Sequence, residues 1–262
     1  DQNETCLRSS WRVLKAHGYR KNNYAQESEQ KLSGNKRNDT YVECLYSIVA
    51  SSIHIECLYK PGLSMWSADT LPRFGMVLLL PRRLSKLTWF GAGPHESYAD
   101  RNSSSRIAVH WGNVGDQLHP YLRPQESGNK VGVRWLSLSD VKKGDGLLVA
   151  TSPGAPRLSV SAHHVTTNDL DLDPVKGGDI LSVSRHHLTR RGEVQKHAAE
   201  LVGRDLVELH VDAFQMGVGG IHSWGAMPSP DTLQSAAQSH RVAFVLFPFS
   251  GASAAEARAE AE

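Results

Sequence analysis

Short β-like runs recur along most of this chain, and no long amphipathic helix competes with them. The runs fall at 75–80, 84–91, 107–111, 131–138, 146–150, 158–165, 180–184, 206–214 and 241–249, with clusters of Gly, Pro, Asn and Asp between them. Further upstream, Val49, Ser51, Ile53, Ile55, Cys57 and Tyr59 share one face of an alternating run, as in a half-buried strand. Many short strands punctuated by turn residues predict an all-β chain folded as an antiparallel sandwich.

A length of 262 residues allows one large or two small domains with a sizeable core. The pattern divides it into a polar, weakly patterned segment 1–42, a strand-rich region 43–250 and an Ala/Glu-rich tail 251–262. The formal net charge of +2 and the scattered basic residues argue against a nucleic-acid partner. The longest apolar run, 76–80, is far too short to span a membrane, which argues against a membrane partner. The chain starts at Asp1, as a processed chain or a piece of a longer one would, so the lack of a leader is uninformative. Cys6, Cys44 and Cys57 form an odd set without metal-like spacing, which reads as reduced, partly buried thiols and a cytoplasmic location.

Two histidine pairs sit in a near-repeat. Leu158-Ser159-Val160-Ser161-Ala162-His163-His164-Val165-Thr166 returns as Leu181-Ser182-Val183-Ser184-Arg185-His186-His187-Leu188-Thr189, as an inserted copy would. The sequence leaves open which copy occupies a sheet. Adjacent residues of a strand face opposite sides, so neither pair is placed to share an ion, and no metal site is expected.

The segment Met216-Gly217-Val218-Gly219-Gly220-Ile221-His222-Ser223-Trp224-Gly225 closes the run 206–214. Its glycines call for positive φ or a close approach, and a tryptophan follows on a turn. Upstream lie Leu71-Pro72-Arg73-Phe74-Gly75 and the stretch from Trp89-Phe90-Gly91-Ala92-Gly93-Pro94 through His95-Glu96-Ser97-Tyr98-Ala99-Asp100-Arg101. The stretch Pro120-Tyr121-Leu122-Arg123-Pro124-Gln125-Glu126-Ser127-Gly128-Asn129 comes next, then Val133-Arg134-Trp135-Leu136. In order and composition these motifs resemble the carboxyl-terminal domain, or small chain, of the bacterial-type β-galactosidases of glycoside hydrolase family two. The family has Asp where this chain has Ile221.

The resemblance implies a large two-sheet super-sandwich of the galactose-mutarotase-like kind. It also implies a non-catalytic part that completes the sugar pocket of a separate or missing catalytic barrel, for terminal β-D-galactosides such as lactose. The barrel, or large chain, would be the partner and would supply both catalytic glutamates, so no catalytic residue is expected here. The chain itself would hold no cofactor, and Mg and Na would belong to the catalytic part. Trp224 becomes the candidate substrate-binding residue, stacking on the sugar, with Gly217, Gly219 and Gly220 supporting its turn. Gly93, Pro94, His95, Glu96, Ser97, Tyr98, Asp100 and Arg101 become a loop over the active site with its hinge at Gly93. Read by themselves, the same residues leave Trp224 free to be a core residue and Glu96, Asp100 and Arg101 free to pair locally. The alternative from another class is a free-standing carbohydrate-binding or mutarotase-like sandwich; a mutarotase needs a His acid and a carboxylate base in one pocket.

Overall fold

The computed structural model describes residues 5–12, 40–62, 70–122, 124, 126–171, 197–220 and 227–251, the first stretch as backbone only. Twelve strands among them form two antiparallel sheets. The larger sheet takes β1 (Thr5–Arg12), β2 (Tyr41–Val49), β3 (Ser52–Lys60), β5 (Lys86–Gly93), β6 (Arg106–Asn113), β8 (Trp135–Ser139), β9 (Gly146–Thr151) and β12 (His240–Phe249). Its order is β1-β2-β3-β12-β9-β8-β5-β6. The smaller sheet takes β4 (Arg73–Pro81), β7 (Lys130–Val133), β10 (Leu158–His163) and β11 (Leu206–Gln215), in the order β4-β11-β10-β7. The α-helix among the described residues is the short α1 (Thr167–Asp171). None of their helices is long and apolar enough to cross a membrane.

Alternation decides which face of each strand is buried. Val207, Leu209 and Val211 of β11 and Leu158, Val160 and Ala162 of β10 face the large sheet and enter the main core with Trp89, Leu136, Leu138 and Phe244. The residues between them, Glu208, His210 and Asp212 with Ser159, Ser161 and His163, point to the other face of the small sheet. They are buried as well. A second, smaller apolar cluster of Trp135, Leu148, Ala150 and Phe249, joined by Phe90 and Phe247, involves strands of the large sheet.

The strands depart from the sequence reading in two places. The alternating run through Val49 and Ser51 is a hairpin, not one strand: β2 ends at Val49 and the chain reverses at Ala50, whose φ is 51°. The run 131–138 divides at Arg134, with β7 in the small sheet and β8 in the large one. The expectation of reduced thiols is also corrected. Cys44 and Cys57 are opposed across β2 and β3 with Cα atoms 4.1 Å apart, and they form a disulfide. Of the repeated segments, the first supplies β10; the second, with the run 180–184, lies outside the described residues.

Gly75 shows how tightly the small sheet is specified. It sits opposite Asp212 beside the irregularity between Asp212 and Phe214. A Cβ at Gly75 would lie 2.2 Å from Asp212 Oδ1 and 2.3 Å from the Val211 carbonyl oxygen. Backbone cannot yield there as a flexible side chain would. Gly75→Ala is therefore expected to destabilise the chain by about 1–3 kcal/mol or more, read from urea unfolding curves.

Candidate functional site

The sequence motifs converge above the outer face of the small sheet. Asp212 of β11 is almost fully buried, and the Arg73 guanidinium at the start of β4 meets it, with Nε 3.0 Å from Oδ2. The same guanidinium reaches Glu126 Oε2 at 3.4 Å and so draws in the loop before β7. Burial pushes both the Glu126 and the Asp212 carboxyl upward, although Arg73 opposes the shift at each. Next along β11, Glu208 Oε1 accepts from the Thr167 amide at 2.7 Å and the Thr167 hydroxyl at 2.8 Å. His210 Nε2 lies 3.0 Å from the same oxygen. Burial opposes ionisation of Glu208, but the bonds from His210 and Thr167 hold its carboxyl below the usual range.

The loop after β5 is built on this layer. Gly93 ends the strand where a Cβ would lie 2.7 Å from His110 and 2.9 Å from Trp89, so close packing accounts for the glycine. Pro94 follows through a cis peptide bond. His95 is exposed and bonds Ser104 at 2.9 Å. Glu96 joins two motifs: Oε2 accepts from the Gly128 amide at 2.8 Å, while Oε1 accepts from Arg101 at 3.1 Å and from the Tyr121 hydroxyl. Arg101 lies over the rings of Tyr98 and Tyr121. Ser97 is fully buried; its amide donates to Asn129 at 2.7 Å, and its hydroxyl accepts from the Val131 amide. Asn129 in turn accepts from Ser159 of β10 at 2.9 Å, which ties the loop to the sheet. Tyr98 is buried, and burial followed by the nearby Glu126 and Glu96 pushes its phenol upward.

Asp100 reaches furthest. Its carboxylate accepts from the amides of Val218 at 3.1 Å and Gly219 at 2.8 Å. A Cβ on Gly217 would lie 2.6 Å from that carboxylate and 2.4 Å from Thr232 Oγ1, so only glycine lets the segment approach. Gly219 and Gly220 take φ of 66° and 83°, the left-handed region that favours glycine. The chain is thus anchored at Val218 and Gly219. Trp224 lies outside the described residues, as do Ile221 to Gly225.

Two further ionisable groups are buried here. Lys130 stands 5.2 Å from the Trp89 ring and donates to the Gly128 carbonyl at 2.8 Å; burial lowers its pKa to about 8. His163 Nε2 is 2.8 Å from the Ser127 carbonyl, and burial pulls the imidazolium down to about 4. His164 turns the other way, to the Leu206 carbonyl at 2.8 Å. Among the described residues, no three His, Cys, Asp or Glu side chains come together as a metal site would require.

A small cavity opens between Arg73, Glu126, His163, Thr167, Glu208 and His210. It has room for about one water molecule, whereas ligand pockets usually enclose ~300–1,000 Å³. The His and carboxylate groups that a mutarotase-like reading needs do meet here, but without space for a pyranose. The sequence reading assigned no role to Arg73, Asp212, Glu208 or His210. The signal was present in β11, where Glu208, His210 and Asp212 alternate with apolar residues.

The match to the family model described as β-galactosidase small chain covers residues 1–246, nearly the whole chain. The chain belongs to that family. A β-galactosidase of Priestia megaterium is 34% identical over 178 residues, which is 68% of this chain and 15% of that protein. One of Lactobacillus delbrueckii subsp. bulgaricus is 33% identical over 183 residues, 69% of this chain and 15% of the relative. One of Vibrio cholerae is 34% identical over 164 residues, 62% and 13%. The small-chain match thus spans about one seventh of the relatives' length. Among solved structures, an Escherichia coli putative aldose 1-epimerase is similar at a TM-score of 0.37 and 12% identity, over 94% of this chain and 65% of that one. A likeness so remote carries no further argument.

Two measurements test the small-chain geometry. Asp100→Ala removes the acceptor of two amides, so exchange at Val218 and Gly219 is expected to accelerate on the order of tenfold. The global unfolding midpoint should barely move. For His163, the unfolded chain takes up its proton near pH 6.5 and the folded chain only near 4. Stability from this group is therefore complete above about pH 6.5 and falls, by up to about 3 kcal/mol, as pH drops toward 4. Glu126 and Asp212, with raised carboxyl pKa values, act in the opposite sense. The readout is accordingly the difference between wild type and His163→Gln across the window, with the variant expected to lose the His163 slope.

Proposed function

We propose that this chain is the non-catalytic part of a β-galactosidase and that it completes the sugar pocket of a catalytic barrel located elsewhere. The observation that carries the reading is the Asp100 clamp on Val218 and Gly219, which joins two of the family-like motifs. Membership of the small-chain family supports it, as does the 15% share of the galactosidase relatives that the chain spans. In this reading Trp224 offers an indole face to the C–H face of a pyranose, and the 94–101 loop walls the pocket beside it. The barrel contributes both glutamates and the Mg and Na sites, and the bond cleaved is that of a terminal β-D-galactoside such as lactose. This chain's own residues hold the loop and Val218–Gly219 in register.

The experiment is complementation. The chain is mixed with Priestia megaterium β-galactosidase from which the matched segment has been removed, a protein first shown to be rescued by its own excised segment. Hydrolysis of a chromogenic galactoside should be absent with either part alone and restored by the mixture. Turnover by the isolated chain would defeat the reading. In the restored enzyme Trp224→Ala should weaken sugar affinity about two- to twelvefold, the worth of one aromatic contact of ~0.5–1.5 kcal/mol, and leave the melting temperature intact. A large fall in melting temperature with unchanged affinity would assign Trp224 to the core.

A further inference from the structure

The outer edge of the large sheet carries an apolar stripe. On β6, Ile107, Val109 and Trp111 are 53%, 55% and 77% exposed, although every second residue of an edge strand facing water is ordinarily polar. The stripe does not stand alone. Val109 is paired with Phe90 of β5, Phe90 with Trp135 of β8, and Trp135 with Ala150 of β9. Directly opposed residues of antiparallel strands share a face, so the stripe is the uncovered continuation of the Trp135–Leu148–Ala150–Phe249 cluster. Arg134 lies 4.5 Å over the Phe90 ring, and Lys86 stands on the same face two residues before Thr88, the partner of Trp111. The patch therefore combines tryptophan, aliphatic residues and a stacked arginine with basic flanks, the composition of an interface centre. β6 is also the last strand of its sheet, with one backbone edge unpaired among the described strands.

We infer that the Ile107–Val109–Trp111 stripe is the surface on which this chain docks to the catalytic body of the galactosidase. The inference rests on the proposed function and names the contact surface that it needs. Two observations select this occupant over a second copy of the chain. The stripe begins where the 94–105 loop ends, at Arg106, so a body that meets the loop over its active site lies at the head of the stripe. The matched stretch is 15% of each of the two relatives first described, so most of the relative lies outside it and is large enough to cover loop and strand together. The facing surface of that body is apolar with an acidic margin, matching Lys86 and Arg134.

The test titrates the full chain, and its Val109→Thr/Trp111→Ser variant, into the segment-deleted Priestia megaterium enzyme used for complementation. Both positions are exposed, so the variant should melt with wild type. It should bind roughly tenfold or more weakly, while Trp224→Ala binds as wild type and fails only in sugar affinity. Oxidative footprinting should mark Trp111 in the free chain and find it protected in the complex. Wild-type binding and rescue with an equally tight double variant would overturn the docking surface and leave the proposed function standing. No binding by the wild-type chain would remove both. A wild-type dimer in sedimentation that the double variant abolishes would assign the stripe to a second copy and overturn the inference.

Discussion

A buried carboxylate is tolerated only when its charge is answered nearby, and Asp212 is such a group at the centre of the small sheet. The residue is 2% exposed, so it needs the Arg73 guanidinium, and breaking a pair of this kind typically costs ~3–5 kcal/mol. That requirement propagates. Arg73 must begin β4, Gly75 must leave room for the carboxylate, and the second arm of the guanidinium holds Glu126 in the loop before β7. One ion cluster thereby aligns two strands and a loop that are distant in sequence.

The same logic builds the layer above. The outer face of β10 and β11 is polar yet buried, so its groups must be satisfied by the segments that cover them. Ser159 supports Asn129, Asn129 supports Ser97, and Glu96 collects Tyr121, Arg101 and the Gly128 amide. The loop that results is polar in composition and fixed in position. Asp100 extends the chain of bonds to Val218 and Gly219. Precise display of a loop side chain depends on this kind of support from below.

Strand content was legible in the sequence because alternation is a local property, and the runs at 75–80, 107–111, 146–150, 206–214 and 241–249 correspond to strands within a residue or two at most ends. Register and sheet membership were not, because they depend on partners far along the chain. Apolar alternation continues through Ala50 and Ser51, so the hairpin between β2 and β3 leaves no mark, and with it goes the pairing that opposes Cys44 to Cys57. The residues 131–138 read as one strand, yet β7 and β8 belong to different sheets because the chain crosses between layers at Arg134. The motifs pointed to the 94–101 loop and the Gly-rich segment. Their joining by Asp100, and the Arg73–Asp212–Glu126 cluster beneath them, became visible only in three dimensions.

The bonding of the polar layer bears on what the chain can do chemically. A general acid or base must be free to exchange a proton near the working pH with a group it can reach. Several ionisable groups of this layer are held by their neighbours. Asp169 is held by Arg204 and Thr166, Glu208 by Thr167 and His210, and Asp212 by Arg73. His163 is kept neutral by burial while its Nε2 serves the Ser127 carbonyl. The cavity lined by Glu208, His210 and His163 admits about one water molecule. Charge held in this way fixes the geometry of the segments that cover the small sheet.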